Sequence, residues 1–302
     1  MKQSEKIMIL SMTGFGRGSA SAKGRMINVE VKSLNSKQLD LIIKLPNRYR
    51  KLEGELRNLL ASRVERGKVE AIISMEVTAH EDTSHFNIEL IRQYKEEIEQ
   101  IDKSLGIATP ADWNSLLLRM PDAMKGDDPE LSEEEEEAFR KAAVKALDGL
   151  LAFRRAEGEK LYGFFKTKID NIRRLLADVA PHEEGRVAKI KARMLDQLDK
   201  LSGVEIDAGR LEQELIYYIE KLDISEEKQR LTAHLDYFLN TMGDKESLEA
   251  IAVGKKLGFI SQEMGREINT LGSKSNNAEM QIIVVKMKDE LEQIKEQVLN
   301  VL

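Results

Sequence analysis

The sequence predicts an α+β protein: an N-terminal α+β head with a mostly antiparallel sheet, followed by a long all-helical C-terminal body. Three observations carry this. The first 80 residues hold period-two runs rich in Val, Ile and Leu, and the pattern from Ser132 onward is helical almost without interruption. Aromatic residues make up 5% of the chain against 33% charged residues, the balance of long solvated helices. At 302 residues the chain exceeds the usual size of a single core. Two domains are therefore expected, 1–128 for the head and 129–302 for the helical body that carries the candidate active site.

In chain order, "MINVEVKSL", "QLDLIIKLP" and "KVEAIISMEV" each read as a strand. Between the last two lies "PNRYRKLEGELRNLLASRVERGK", opened by Pro46 and closed by Gly67, with Leu52, Leu56, Leu59 and Leu60 on one face, which predicts a helix. Another helix is expected over 87–105, then a weakly patterned link over 106–128 that holds Trp113. The helical stretch that follows should break at Pro181 and near 202–207. In the last helix Met280, Val284, Met287, Leu291, Ile294, Val298 and Val301 form a heptad seam, which fits packing within one subunit or between subunits. The early run "TGFGRGSA" is not a phosphate loop. Such a loop needs a helix N-terminus after its glycines, and here a strand follows. Gly14, Gly16 and Gly18 fit a close approach of two backbones, or a bulge.

Cysteine is absent, which excludes disulfides and thiolate metal sites and suits a reducing cytoplasm. No run of about 18 apolar residues occurs, and the apolar run near the N-terminus is too short for a signal-peptide core. A cytoplasmic protein away from membranes is the expectation. The net charge of −6 hides an asymmetry, since residues 11–70 hold 13 Lys and Arg against 6 Asp and Glu. Arg17, Lys23, Arg25, Lys32, Lys37 and Lys44 could line one broad surface, either a plain solvated face or a contact for a polyanion. The acidic run 133–137 begins a helix just after Ser132, where an N-cap and early acids suit the helix dipole, so its expected role is local.

Two polar stripes stand out in the body. Asp223, Glu227, Arg230 and His234 follow at helical steps, with Ser225 or Asp223 available as a cap. Glu263, Glu267, Thr270 and Lys274 do the same, with Gln262, Arg266 and Asn269 beside them. They lie opposite a core face of Leu257, Ile260, Met264, Ile268 and Leu271. Either stripe alone is ordinary surface pairing, about 0.3 to 0.5 kcal/mol per pair. Together, if they converge, they make a chemistry. Carboxylates with a histidine can hold a hard divalent ion and its water, and Arg and Lys can stabilise a phosphoryl transition state. Without a metal, His234 could act as general base on a ribose 2′-hydroxyl, a route open only to RNA.

The blocks "SMTGFGRG", "VEVKSLNSKQLDL", "RGKVE", "RRAEGEKL", "KLDISEEKQRLTAH" and "GKKLGFISQEMGREINTLGSKS" occur in this order along nearly the whole chain. In them the sequence resembles the YicC/YloC endoribonuclease family. The resemblance implies a metal-dependent endoribonuclease that assembles as a homo-oligomer, a hexamer, around a channel admitting RNA. The matching positions are Asp223, Glu226, Glu227, Arg230 and His234, then Gln262, Glu263, Arg266, Glu267, Asn269, Thr270, Ser273 and Lys274. On this reading Glu227, His234, Glu263, Arg266 and Glu267 are catalytic. Asp223, Glu227, Glu263 and Glu267 hold a Mn²⁺ or Mg²⁺ ion, and Arg17, Lys23, Lys37, Arg230, Asn269, Thr270 and Lys274 bind RNA. Ser36, Gly258 and Gly265 depart from the family's usual His, Asp and Asn. The rival reading is a non-catalytic RNA-binding or adaptor oligomer whose polar faces are salt-bridge networks between subunits.

Overall fold

The computed structural model describes residues 9–77, 86–123, 131–183, 185–200, 208–243 and 253–302. Its head is a four-stranded sheet in the order β1-β2-β4-β3, built from β1 (Gly14–Ala22), β2 (Arg25–Leu34), β3 (Leu39–Lys44) and β4 (Gly67–Val77). The β1–β2 and β2–β4 pairs are antiparallel, and β3–β4 is parallel. A parallel pair needs a crossover, and here it is a 3-10 turn (Asn47–Leu52) running into α1 (Glu53–Arg63). Alternation along β2 and β4 turns Ile27, Val29, Val31, Val69, Ala71 and Ile73 inward against Leu52, Leu56 and Leu60 of the crossover.

The edge strand β1 corrects the sequence reading, which placed only three strands. "GFGRGSASA" has no β-branched residue and a single aromatic, Phe15, too few to mark a strand. It forms because the long helix α4 (Glu133–Ala177) lies directly on it. A Cβ on Gly16 would stand 1.9 Å from the Ala146 carbonyl oxygen, and one on Gly18 would stand 2.1 Å from that of Ala142. Close backbone approach is thus what these glycines provide.

Beyond the sheet come α2 (Ile88–Leu105), capped by the Asn87 side chain, and the short α3 (Trp113–Leu117) within the expected link. Ser132 caps α4 in a reciprocal box with Glu135, so the acidic run has the local role foreseen for it. The 45 residues of α4 serve both halves of the protein. Phe139, Ala142, Ala146, Leu147 and Leu150 belong to the head's core, and Leu161, Phe165, Ile169, Ile172 and Leu176 to that of the body.

The body continues through α5 (Ala180–Glu183), α6 (Arg186–Asp199), α7 (Ala208–Leu222), α8 (Ser225–Gly243), α9 (Val253–Ser275) and α10 (Ala278–Val298). Pro181 falls in the first turn of α5, where its missing N–H costs nothing. The break expected over 202–207 lies outside the described residues. Every seam position from Met280 to Val301 is buried in the body's own core, so the heptad seam packs within the chain. The last residues return to the first: Leu302 N–H donates to the Leu10 carbonyl at 2.9 Å and Met12 N–H to that of Asn300 at 2.8 Å. Among the described residues no helix is long and apolar enough to cross a membrane.

Candidate active site

Helices α8 and α9 pack against each other because each carries an apolar stripe at helical spacing. Leu231, Leu235, Phe238 and Met242 of α8 join Leu257, Ile260, Met264, Ile268 and Leu271 of α9 in the body's core. Two contacts fix their direction. Lys274 at the end of α9 donates to Glu227 at the start of α8 at 2.8 Å. Lys256 at the start of α9 lies 5.1 Å from the centre of the Tyr237 ring near the end of α8. The helices are therefore antiparallel, and the two polar stripes run along one groove.

Along that groove α9 presents two neighbouring columns. Lys256, Glu263, Glu267, Thr270 and Lys274 are half-buried beside α8, and Gln262, Arg266, Asn269 and Ser273 stand exposed next to them. His234 follows Glu227 by seven residues and precedes Tyr237 by three, so it shares their edge of α8. The contacts at the two ends place it level with the stretch of α9 that holds Glu263 and Glu267. Gly258 and Gly265 sit on the far side of α9: a Cβ there would meet Val298 at 3.7 Å and Leu291 at 3.4 Å. Those two departures from the family pattern do not touch the groove.

The charges are not held equally. Glu227 is 4% exposed. One carboxylate oxygen takes the Lys274 bond, and Oε2, also buried, has no hydrogen-bond partner among the described residues. Such an acceptor is costly unless something meets it, and it shares this state with Asp102 Oδ2 elsewhere in the fold. Asp223 sits before α8 rather than on its helical face. Its Oδ1 accepts from Ser225 N–H at 3.1 Å and Ser225 Oγ at 2.7 Å. These bonds, with the Lys274 charge, hold its carboxyl below the usual carboxylate range. Arg266 pairs with Glu263 at 2.8 Å and Arg230 with Glu226, both one turn away on the surface.

The other predicted cations are scattered. Lys23 is in the β1–β2 turn and Lys37 in the loop after β2, so the ten residues of β2 separate them by about 33 Å. Arg17, on the outer face of β1, lies 3.9 Å from Glu30, and Lys44 lies 2.7 Å from Glu70. The head's positive charge is thus partly neutralised locally and does not form a single patch with all three predicted residues. His182 pairs with Glu279 at 2.8 Å, while its neighbour Glu183 accepts from Lys228, next to Glu227, at 2.6 Å, and His80 and His85 lie outside the described residues. Sequence reasoning overlooked Tyr237, Phe259, Lys255 and Lys256. The i, i+4 spacing of Lys255 and Phe259 in "GKKLGF" was the available signal.

Oxygen donors with an imidazole suit a hard divalent ion, and the open Glu227 Oε2 is the kind of atom such an ion satisfies. Among the described residues of one chain, however, no three His, Asp or Glu side chains come together as a ready metal cage. Further oxygens would have to come from RNA, water or a second copy.

A helical body carrying a groove of carboxylates, a histidine, arginines and a lysine is equipped for work on phosphodiesters. The chain belongs to the YicC-like endoribonuclease family. Residues 9–163 match the family description "Endoribonuclease YicC-like, N-terminal region", and residues 179–302 match "Endoribonuclease YicC-like, C-terminal". Curated relatives agree. The chain is 33% identical over 300 residues to the probable endoribonuclease YicC of Clostridioides difficile strain 630, covering 97% of this chain and 100% of the relative. It is 30% identical over 299 residues to the probable endoribonuclease YicC of Haemophilus influenzae, covering 97% and 99%.

Proposed function

We propose that this protein is a metal-dependent endoribonuclease that cuts single-stranded or structured RNA in cytoplasmic RNA turnover, working as a closed homo-oligomer, a hexamer. The observation that carries this is the meeting of the two polar stripes at Lys274 and Glu227, with one Glu227 oxygen buried and open. Family membership supplies the reaction class.

In this reading Asp223, Glu227, Glu263 and Glu267 would offer oxygens to Mn²⁺ or Mg²⁺. The remaining ligands would come from RNA, water or a second copy, because among the described residues no three of them meet within one chain. A bound ion would supply an acidified water and charge neutralisation at the phosphate. The chain's own groups do the rest. His234 takes a proton from the attacking water or ribose hydroxyl. Arg266 and Arg230 leave their surface carboxylate partners for the phosphate, an exchange that costs only about 0.3 to 0.5 kcal/mol per pair. Lys274 adds positive charge, while Asn269 and Thr270 hold the RNA backbone in place. Arg17, Lys23 and Lys37 meet RNA arriving at the head.

Assembly is supported by α7, on which Ile216, Tyr217, Tyr218 and Ile219 are 40 to 58% exposed in one chain. Apolar surface of that kind marks an interaction site. The test is incubation of purified protein with RNA in Mn²⁺, in Mg²⁺ and in chelator, with sedimentation run in parallel. Expected are cuts that need the metal, their loss in Glu263→Gln and Glu267→Gln, and an unchanged assembly in both variants. Retention of RNA without any cut would favour the non-catalytic RNA-binding oligomer.

A further inference from the structure

At one end of the groove stand two exposed aromatic rings with a lysine on each. Tyr237 is 48% exposed with Lys256 at 5.1 Å from its centre, and Phe259 is 57% exposed with Lys255 at 5.9 Å. As isolated features, such pairs would add a little helix stability and nothing more. Their position says otherwise. Lys256 heads the half-buried column of Glu263 and Glu267, and Lys255 and Phe259 head the exposed column of Gln262, Arg266 and Asn269. Phe259 precedes Glu263 by one helical turn, about 6 Å along the axis, within the span of one nucleotide. At the opposite end, Thr270, Ser273 and Lys274 continue the same columns with no ring among them.

We infer that Tyr237 and Phe259 form a stacking subsite for one unpaired RNA base flanking the cut on one side only, with Lys255 and Lys256 meeting its phosphate. The inference rests on the endoribonuclease reading and narrows its substrate to RNA whose nucleotide beside the cut is unpaired. A ring face exposed to water accepts any base by stacking, and an ammonium beside it matches the phosphate that every nucleotide carries. Base identity matters little in such a subsite; the absence of pairing matters a great deal, because a base held in a duplex cannot reach the rings.

The test uses the full-length protein and an unstructured oligouridylate in which an abasic residue is placed at each position in turn. Affinity in chelator and cleavage in Mn²⁺ are both read. An abasic residue on one side of the cut should weaken binding by the parent about ten-fold or more, and one on the other side should leave it unchanged. The double variant Tyr237→Ala/Phe259→Ala should bind the intact oligomer weakly to a similar degree and be indifferent to the abasic position. Tyr237→Phe/Phe259→Tyr should behave as the parent. Parental affinity in the alanine variant overturns the inference, as does a smaller assembly with unchanged affinity, which would make the rings a contact between copies. A parent that shows the abasic penalty yet never cuts supports the subsite and removes the nuclease reading instead.

Discussion

Glu135 in the first turn of α4 and Glu227 in the first turn of α8 are both buried acids placed where a helix dipole favours negative charge. Their surroundings differ completely. Glu135, 1% exposed, is met by Arg48 at 2.8 Å and Arg25 at 2.9 Å, and it closes the capping box with Ser132. Burial acts to raise its pKa, but the bonds from Arg48, the Ser132 backbone and Arg25 outweigh it and bring it down to about 2. Glu227 has Lys274 on one oxygen and nothing on the other among the described residues. The first site is complete as folded, a pin that locks the helix to the sheet. The second leaves one oxygen without a protein partner among the described residues, and the proposed function uses that oxygen for a ligand.

The largest effect that would separate them is on stability. Glu135→Ala opens the capping box and takes the carboxylate from two largely buried guanidinium groups, so urea unfolding should show a loss of about 3 to 5 kcal/mol. A loss below 1 kcal/mol would break the comparison from this side.

Next comes pH. The folded pKa of Glu135 lies below its unfolded value of 4.5, so its contribution is fully present above that value and is lost as pH falls toward about 2. The melting temperature of the parent should drop through that window. In Glu135→Gln the drop should be shallower, and an identical pH profile for the two proteins would show that other carboxylates govern acid unfolding.

The smallest expected change is in Glu227→Gln. It keeps the side-chain volume, lowers the cost of the open oxygen and leaves Lys274, itself 30% exposed, within reach of water. Its stability should stay within about 1 kcal/mol of the parent. Destabilisation as large as that of Glu135→Ala would make Glu227 a second structural pin.

Both glutamates were visible in the sequence, but only in part. The N-cap of α4 announced itself through Ser132 and the acids after it. The partners Arg25 and Arg48 come from the sheet and its crossover, a contact no local pattern encodes. The strands 25–34, 39–44 and 67–77 were legible because alternation of branched residues reports burial on one face. The strand Gly14–Ala22 was not, because its reason for existing is the helix that lies on its glycines. In the body, helical spacing put Glu263, Glu267, Thr270 and Lys274 on one column correctly. It could not say that α9 runs antiparallel to α8, and of its two readings of Asp223, on the helix face or as a cap, the structure keeps the second: the residue accepts from Ser225 N–H just before α8. The aromatic end of the groove went unread because exposed Tyr and Phe look like core in a pattern.

The most direct measurement is the rate of RNA cleavage by Glu227→Gln under conditions where its melting curve overlays that of the parent. Loss of a group that works only in the reaction should slow cleavage by at least about a hundred-fold with fold and assembly intact. A rate within a few-fold of the parent, in a protein equally folded and equally assembled, would contradict the assignment of this groove as the active site.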